Sequence, residues 1–148
     1  MKVTPTTLFT IGFTQSSAQH FFDRLQRAGV RRVVDVRLSN SSQLAGFAKR
    51  SDLPFFLRSI GNIDYVHEPM LAPTDELVAL GRAKNWTAWE TGFRALMAER
   101  GITRRFKPAD LAGARLLCAE AKPHNCHRRI VAELLTIASK ASMTVVHL

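Results

Sequence analysis

The chain has 148 residues, 46% of them apolar, and its 21 Lys and Arg outweigh 12 Asp and Glu to give a formal net charge of +9. That balance excludes a disordered chain and predicts one globular domain over residues 1–148 with a real core. No apolar run approaches the ~20 residues a helical membrane span requires, so no membrane partner is expected.

The elements are legible in chain order. Leu8–Ile11 reads as a short buried strand ending at Gly12. The opening "MKVTPTTLFTIGF" holds one Lys and a Gly-interrupted apolar segment, which reads as that strand and not as a secretory leader. "SSAQHFFDRLQRAG" reads as a helix with a capping box from Ser16 to Gln19, an apolar stripe of Phe21, Phe22, Leu25 and Ala28, and Gly29 as its stop. "VRRVVDVR" is a second strand, with Asp35 and Arg37 near its carboxyl end, followed by the small, polar loop "LSNSSQLAG". Ser51 to Ile60 reads as a helix closed by Gly61, with Pro54 tolerated in its first turn.

"IDYVH" is a third strand, and a Pro-bearing loop then feeds a helix over about Thr74–Ala83. In "WTAWETGFRALMAERG" the residues Trp86, Trp89, Phe93, Leu96 and Met97 keep helical spacing up to Gly101, and read as core instead of a base-stacking platform. "ARLLCAE" is a fourth strand. "CHRRIVAELLTIASK" is a helix with Ile130, Val131, Leu134, Leu135 and Ala138 facing inward, and "MTVVHL" is a last strand. Alternating strands and helices predict an α/β fold: a single three-layer domain with a mainly parallel sheet of about five strands flanked by helices.

Such sheets bind ligands outside the carboxyl ends of their strands. The polar residues expected there are Thr14 after Gly12, the pair Asp35 and Arg37, His67 with Glu68, and Cys118 with Glu120. The helix opening at Cys126, His127 and Arg128 points to the same edge. Charge is concentrated nearby: residues 1–81 hold nine basic and seven acidic side chains, residues 82–129 eleven and four. Arginine outnumbers lysine fifteen to six, and its planar fork suits bidentate contact with phosphate. An anionic small molecule or a nucleic acid is therefore the expected partner.

Several chemistries compete for the two cysteines, Cys118 and Cys126. Structural zinc wants four ligands in close pairs; these are eight apart, with Cys126 and His127 adjacent, so no metal is expected. A disulfide or redox pair is possible, with Cys118 at a strand end and Cys126 at the next helix start, but it is disfavoured because the thioredoxin-type C-x-x-C is absent. The Cys-x5-Arg of a phosphatase loop is absent too, since after five intervening residues Cys126 is followed by Ala132 and Cys118 by His124. A thiolate nucleophile at Cys126 fits a helix start flanked by Arg128 and Arg129; buried packing is the bland alternative, and the stronger one for Cys118. Two cysteines without a leader point to a reducing cytoplasm. Glu120 is the best candidate for proton transfer, against a salt bridge to Arg128 or Lys122. Asp35 and Arg37 either face a ligand or pair with each other; His67 is a base, a ligand or merely hydrogen-bonded; His147 reads as structural. No Gly-rich phosphate loop or dinucleotide fingerprint occurs, so no cofactor is expected.

With these residues in view, the chain resembles the bacterial and archaeal family catalogued as domain of unknown function 488, from near the N-terminus to the last strand. The likeness rests on "TIGFT" (10–14), "GVRRVVDVR" (29–37), "IGNIDYVHEPML" (60–71), the terminal "VVHL" and above all "CAEAKPHNCHRR" (118–129). That block matches the family's C-x-E-x-x-P-x-x-C-H-R signature at Cys118, Glu120, Pro123, Cys126, His127 and Arg128. The family's first block reads T-I-G-H-S, whereas Phe13 stands here in the His place and Thr14 in the Ser place. The resemblance implies the fold and the site; it implies no particular reaction.

The resulting expectation is a small cytoplasmic enzyme on a phosphate-bearing substrate. Gly12, Thr14, Arg37, His67, His127 and Arg128 would hold the anion, with Cys126, Glu120 and Asp35 as catalytic groups. A non-catalytic nucleic-acid or partner-binding module is the alternative, and a cysteine redox or metal sensor the weaker one.

Overall fold

The computed structural model describes residues 6–12, 17–38, 52–107, 111, 114–118, 126–138 and 143–148, the side chains of Thr6, Cys118 and Met143 excepted. Five strands, β1 (Thr6–Gly12), β2 (Arg32–Asp35), β3 (Asp64–His67), β4 (Ala114–Cys118) and β5 (Met143–His147), form one sheet in the order β3-β2-β4-β1-β5. Every pairing is parallel.

The sheet is buried on both faces, and the period of two along each strand shows in how its residues divide. Leu8, Val34, Val36, Ala114 and Leu116 enter one core, together with Trp89, Phe93, Met97, Ile130 and Leu135. Ile11, Val33 and Leu117 enter the other, with Phe21, Phe22, Leu25, Leu53 and Leu57. Helices α1 (Ala18–Arg27) and α2 (Leu53–Gly61) therefore cover one face. Helices α3 (Asp75–Arg82), α4 (Trp86–Arg100), the single turn α5 (Ile102–Arg105) and α6 (His127–Ala138) cover the other. This is a three-layer α/β arrangement, as parallel strands rich in Val, Ile and Leu require.

Helix ends follow local chemistry. Ser17, not Ser16, caps α1: its side chain accepts from the His20 amide at 3.1 Å. With the cap shifted by one, the residue at the third helical position is His20, so no capping box forms with Gln19. Thr74 and Asn85 cap α3 and α4 in the same way. α2 runs through Gly61 and stops at Asn62, whose left-handed φ of 50° a short amide side chain tolerates. α4 does end at Gly101, with φ +65° and its amide bonded back to Ala98 and Met97. The aromatic stripe is core: Trp89 stacks on Phe93 with centroids 6.4 Å apart, and Trp86 meets Trp89 edge-on. In α6 the inward face is Ile130, Val131, Ala132 and Leu135, while Leu134 is half-buried and Ala138 is exposed.

Candidate functional site

The strand order creates a defined crevice. Between β1 and β4, neighbours at the centre of the sheet, Gly12 and Cys118 are register partners at the carboxyl ends. The chain leaves β1 for α1 on one face and leaves β4 for α6 on the other. Such a switch in direction is where open parallel sheets form ligand crevices.

Buried charge collects beside it. Of the buried polar side chains Thr10, Asp35, Arg37, Arg115, His127 and Arg128, four belong to the carboxyl end of β2 or the first turn of α6. The Asp35 carboxylate, fully buried, accepts from the Arg37 guanidinium at both oxygens, Nε to Oδ1 at 2.8 Å and Nη2 to Oδ2 at 2.7 Å. The Arg37 amide adds a bond to Oδ1 and the Tyr65 hydroxyl one to Oδ2. Four donors fill the lone-pair directions of one carboxylate, so Asp35 fixes the orientation of Arg37. Tyr65 escaped the sequence reading. The signal was its position two residues before His67 on a neighbouring strand, which puts both on one face.

Two histidines clamp the same segment. His67 Nε2 donates to the Arg37 carbonyl at 2.8 Å, and His127 Nε2 donates to the Val36 carbonyl at 2.5 Å. A carbonyl only accepts, so both rings carry their proton on Nε2. Burial pushes the His127 imidazole down to about 4, partly opposed by the Val36 bond, and the nearby Arg128 charge adds to the depression. His127 is thus a neutral strut at pH 7, with its ring 5.5 Å from that of Phe93.

Arg128 follows in the first turn of α6 and is wholly buried. Its neighbour Arg129 turns outward instead, to Glu90 at 2.7 Å and Glu133 at 2.9 Å. Cys126, just before the helix, is 2% exposed and disulfide-bonded. The chain's other cysteine is Cys118. A nucleophilic role for Cys126 therefore requires reduction first. Gly12 is buried, and its carbonyl accepts from Arg24 Nη2 at 3.0 Å. Thr14, Glu120 and the family-variant position Phe13 lie outside the described residues.

A second feature of this edge was not singled out from sequence. Thr10, fully buried on β1, shares a 2.5 Å hydrogen bond with Nδ1 of His147 on β5. Desolvation lowers the His147 pKa, and the Arg128 charge lowers it further. On the opposite face a groove of about 290 Å³ opens between α1 and α2, lined by Phe22, Phe56 and Ile60; no expected site residue borders it. Among the described residues no three His, Cys, Asp or Glu cluster as metal ligands, and no helix is long and apolar enough to cross a membrane.

Comparison with known proteins gives one family: the model described as "Domain of unknown function DUF488" matches residues 17–135. No curated protein and no solved structure matches.

Proposed function

The chain belongs to the Domain of unknown function DUF488 family, and from that premise we propose that it is a small enzyme binding a phosphate-bearing substrate, nucleotide or nucleic acid, at the carboxyl edge of the sheet beside the start of α6. The observation that carries the reading is the concentration of buried polar groups there: the ionised Asp35, Arg37 and Arg128, with the neutral His127, are all buried at the edge where the chain switches direction. Burying ionised groups costs several kcal/mol each unless they are paired or put to use, so such a cluster favours function over packing.

In this reading Arg128 supplies the charge that meets the anion, and the first amides of α6 add their dipoles. Asp35 holds Arg37 in a fixed orientation beside it. Glu120 moves the proton, and Cys126 is the nucleophile once its disulfide is opened, as a reducing cytoplasm would open it.

Calorimetric titration with inorganic phosphate and with a nucleoside monophosphate, with and without reductant, tests this. Arg128→Lys, which keeps the charge but not the fork, should weaken binding about tenfold, or ~1.4 kcal/mol. If Arg128→Lys, Glu120→Gln and Cys126→Ser all bind and react as the parent does, the site reading is wrong. The eleven basic residues of 82–129 favour a second reading, a nucleic-acid-binding module without turnover. Steep loss of nucleic-acid affinity with added salt, and no reaction, would select it.

A further inference from the structure

His147 stands at the carboxyl end of the edge strand β5, with Thr10 of β1 as its register partner. Thr10 lies on the face that carries α6, since Leu8, two residues before it, packs in the core with Ile130 and Leu135. The residue is exposed, its Nδ1 meets the Thr10 hydroxyl, and among the described residues no second hydrogen-bond partner engages the ring.

The buried hydroxyl decides which nitrogen holds the proton. Thr10 Oγ1 has His147 Nδ1 as its partner, so the hydroxyl either donates or accepts in that one bond. A buried donor left without an acceptor is costlier than an acceptor with a lone pair unused. Thr10 therefore donates, Nδ1 accepts, and the imidazole proton sits on Nε2. Protonating the ring would put a hydrogen on Nδ1 and force the threonine O–H out of its bond. The charges that face the ring from α6 act in the same direction overall: Arg128 and Arg129 oppose a second positive charge, and Glu133 only partly offsets them while engaged with Arg94 and Arg129. Thr10 is the group facing it from β1.

We infer that His147, locked by Thr10 as the neutral Nε2–H tautomer, is an additional anion-contacting residue of the site at the start of α6, donating a hydrogen bond from Nε2 to a phosphate oxygen. This rests on the proposed phosphate reading and adds to it a donor that does not depend on being charged. Because desolvation and the Arg128 charge lower the ring's pKa, it stays mainly neutral at pH 7 and donates without carrying charge, whereas an imidazolium contact would fade as the pH rises through its pKa.

Two readouts on the whole protein test it. Nitrogen-15 NMR of histidine-labelled protein should show His147 as an Nε2–H tautomer, and Thr10→Val should mix the two neutral tautomers. Titration with inorganic phosphate should show His147→Ala about tenfold weaker, in line with loss of one hydrogen bond to a charged group. His147→Gln, whose amide can place a donor where Nε2 was, should stay within about threefold of the parent. Equal phosphate affinity for His147→Ala and parent, with Arg128→Lys weakened, overturns the role of His147 alone. No phosphate binding by the parent overturns the site reading and this inference together. An Nδ1–H tautomer in the parent overturns the inference whatever the affinities.

Discussion

Single residues here are defined by which partner takes their polar atoms. Asp35 and Arg37 satisfy each other, and that pairing fixes the orientation of the Arg37 guanidinium. His127 shows the same logic through its protonation. Burial holds its folded pKa at about 4, against 6.5 for an unperturbed ring. Between those values the unfolded chain binds a proton that the folded chain does not, so stability falls as pH drops from 6.5 towards 4. Above 6.5 the stabilisation is fully present; below 4 no more is lost. The full effect is on the order of 3 kcal/mol. Urea midpoints at pH 7, 5 and 4 should fall more steeply for the parent than for His127→Gln; parallel curves would refute the assignment. Arg115 is the contrasting residue: wholly buried over the Phe9 ring at 4.9 Å, with its guanidinium nitrogens lacking hydrogen-bond partners and its pKa lowered by burial to about 9. Among the described residues, its cation–π contact with Phe9 is what the structure sets against that burial.

At the scale of elements, arginines do the fastening. Arg100, at the end of α4, donates through Nη1 to the carbonyls of Pro69, Met70 and Ala72 at 3.2, 2.9 and 2.7 Å. It thereby anchors the turn that follows β3. α4 and α6 are joined by a closed ring of alternating charge, Glu90–Arg94–Glu133–Arg129, with contacts of 2.7 to 3.1 Å. Because all four side chains are partly exposed, the ring aligns the helices more than it stabilises them. A double-mutant cycle on Glu90 and Arg129 should give a coupling below ~1 kcal/mol, shrinking further in 1 M NaCl. A coupling of several kcal/mol, insensitive to salt, would contradict this.

For the whole molecule, the strand order predicts a gradient of protection. β1, β4 and β2 have neighbours on both sides, whereas β3 and β5 are edges. Amide exchange should be slowest in Ile11, Leu116 and Leu117 and faster by orders of magnitude in β3 and β5; uniform protection would argue against this order. Most of this architecture was legible from sequence, because apolar runs such as Val33-Val34 and Leu116-Leu117, bounded by Gly and polar loops, can only be buried strands. Helix ends were less so: α1 is capped by Ser17, one residue beyond the Ser16 expected, and α2 runs through the expected stop Gly61 to Asn62. Of the site, the edge and the Cys-His-Arg block were readable. What escaped was pairing across long separations: Tyr65 to Asp35, Thr10 to His147, and the opposite fates of the consecutive Arg128 and Arg129. Those depend on register and helix rotation, which local pattern does not encode.

The sheet order also bears on how the chain comes into being. β1 pairs with β4 and β5, so residues 6–12 find no strand partner until residues 114–118 exist, and none on their other side until 143–147 exist. At about 5–20 residues per second on the ribosome, that leaves the first strand waiting several seconds or longer. "LFTI" is thus a sticky segment at birth, and a cell making this protein fast needs something to hold it.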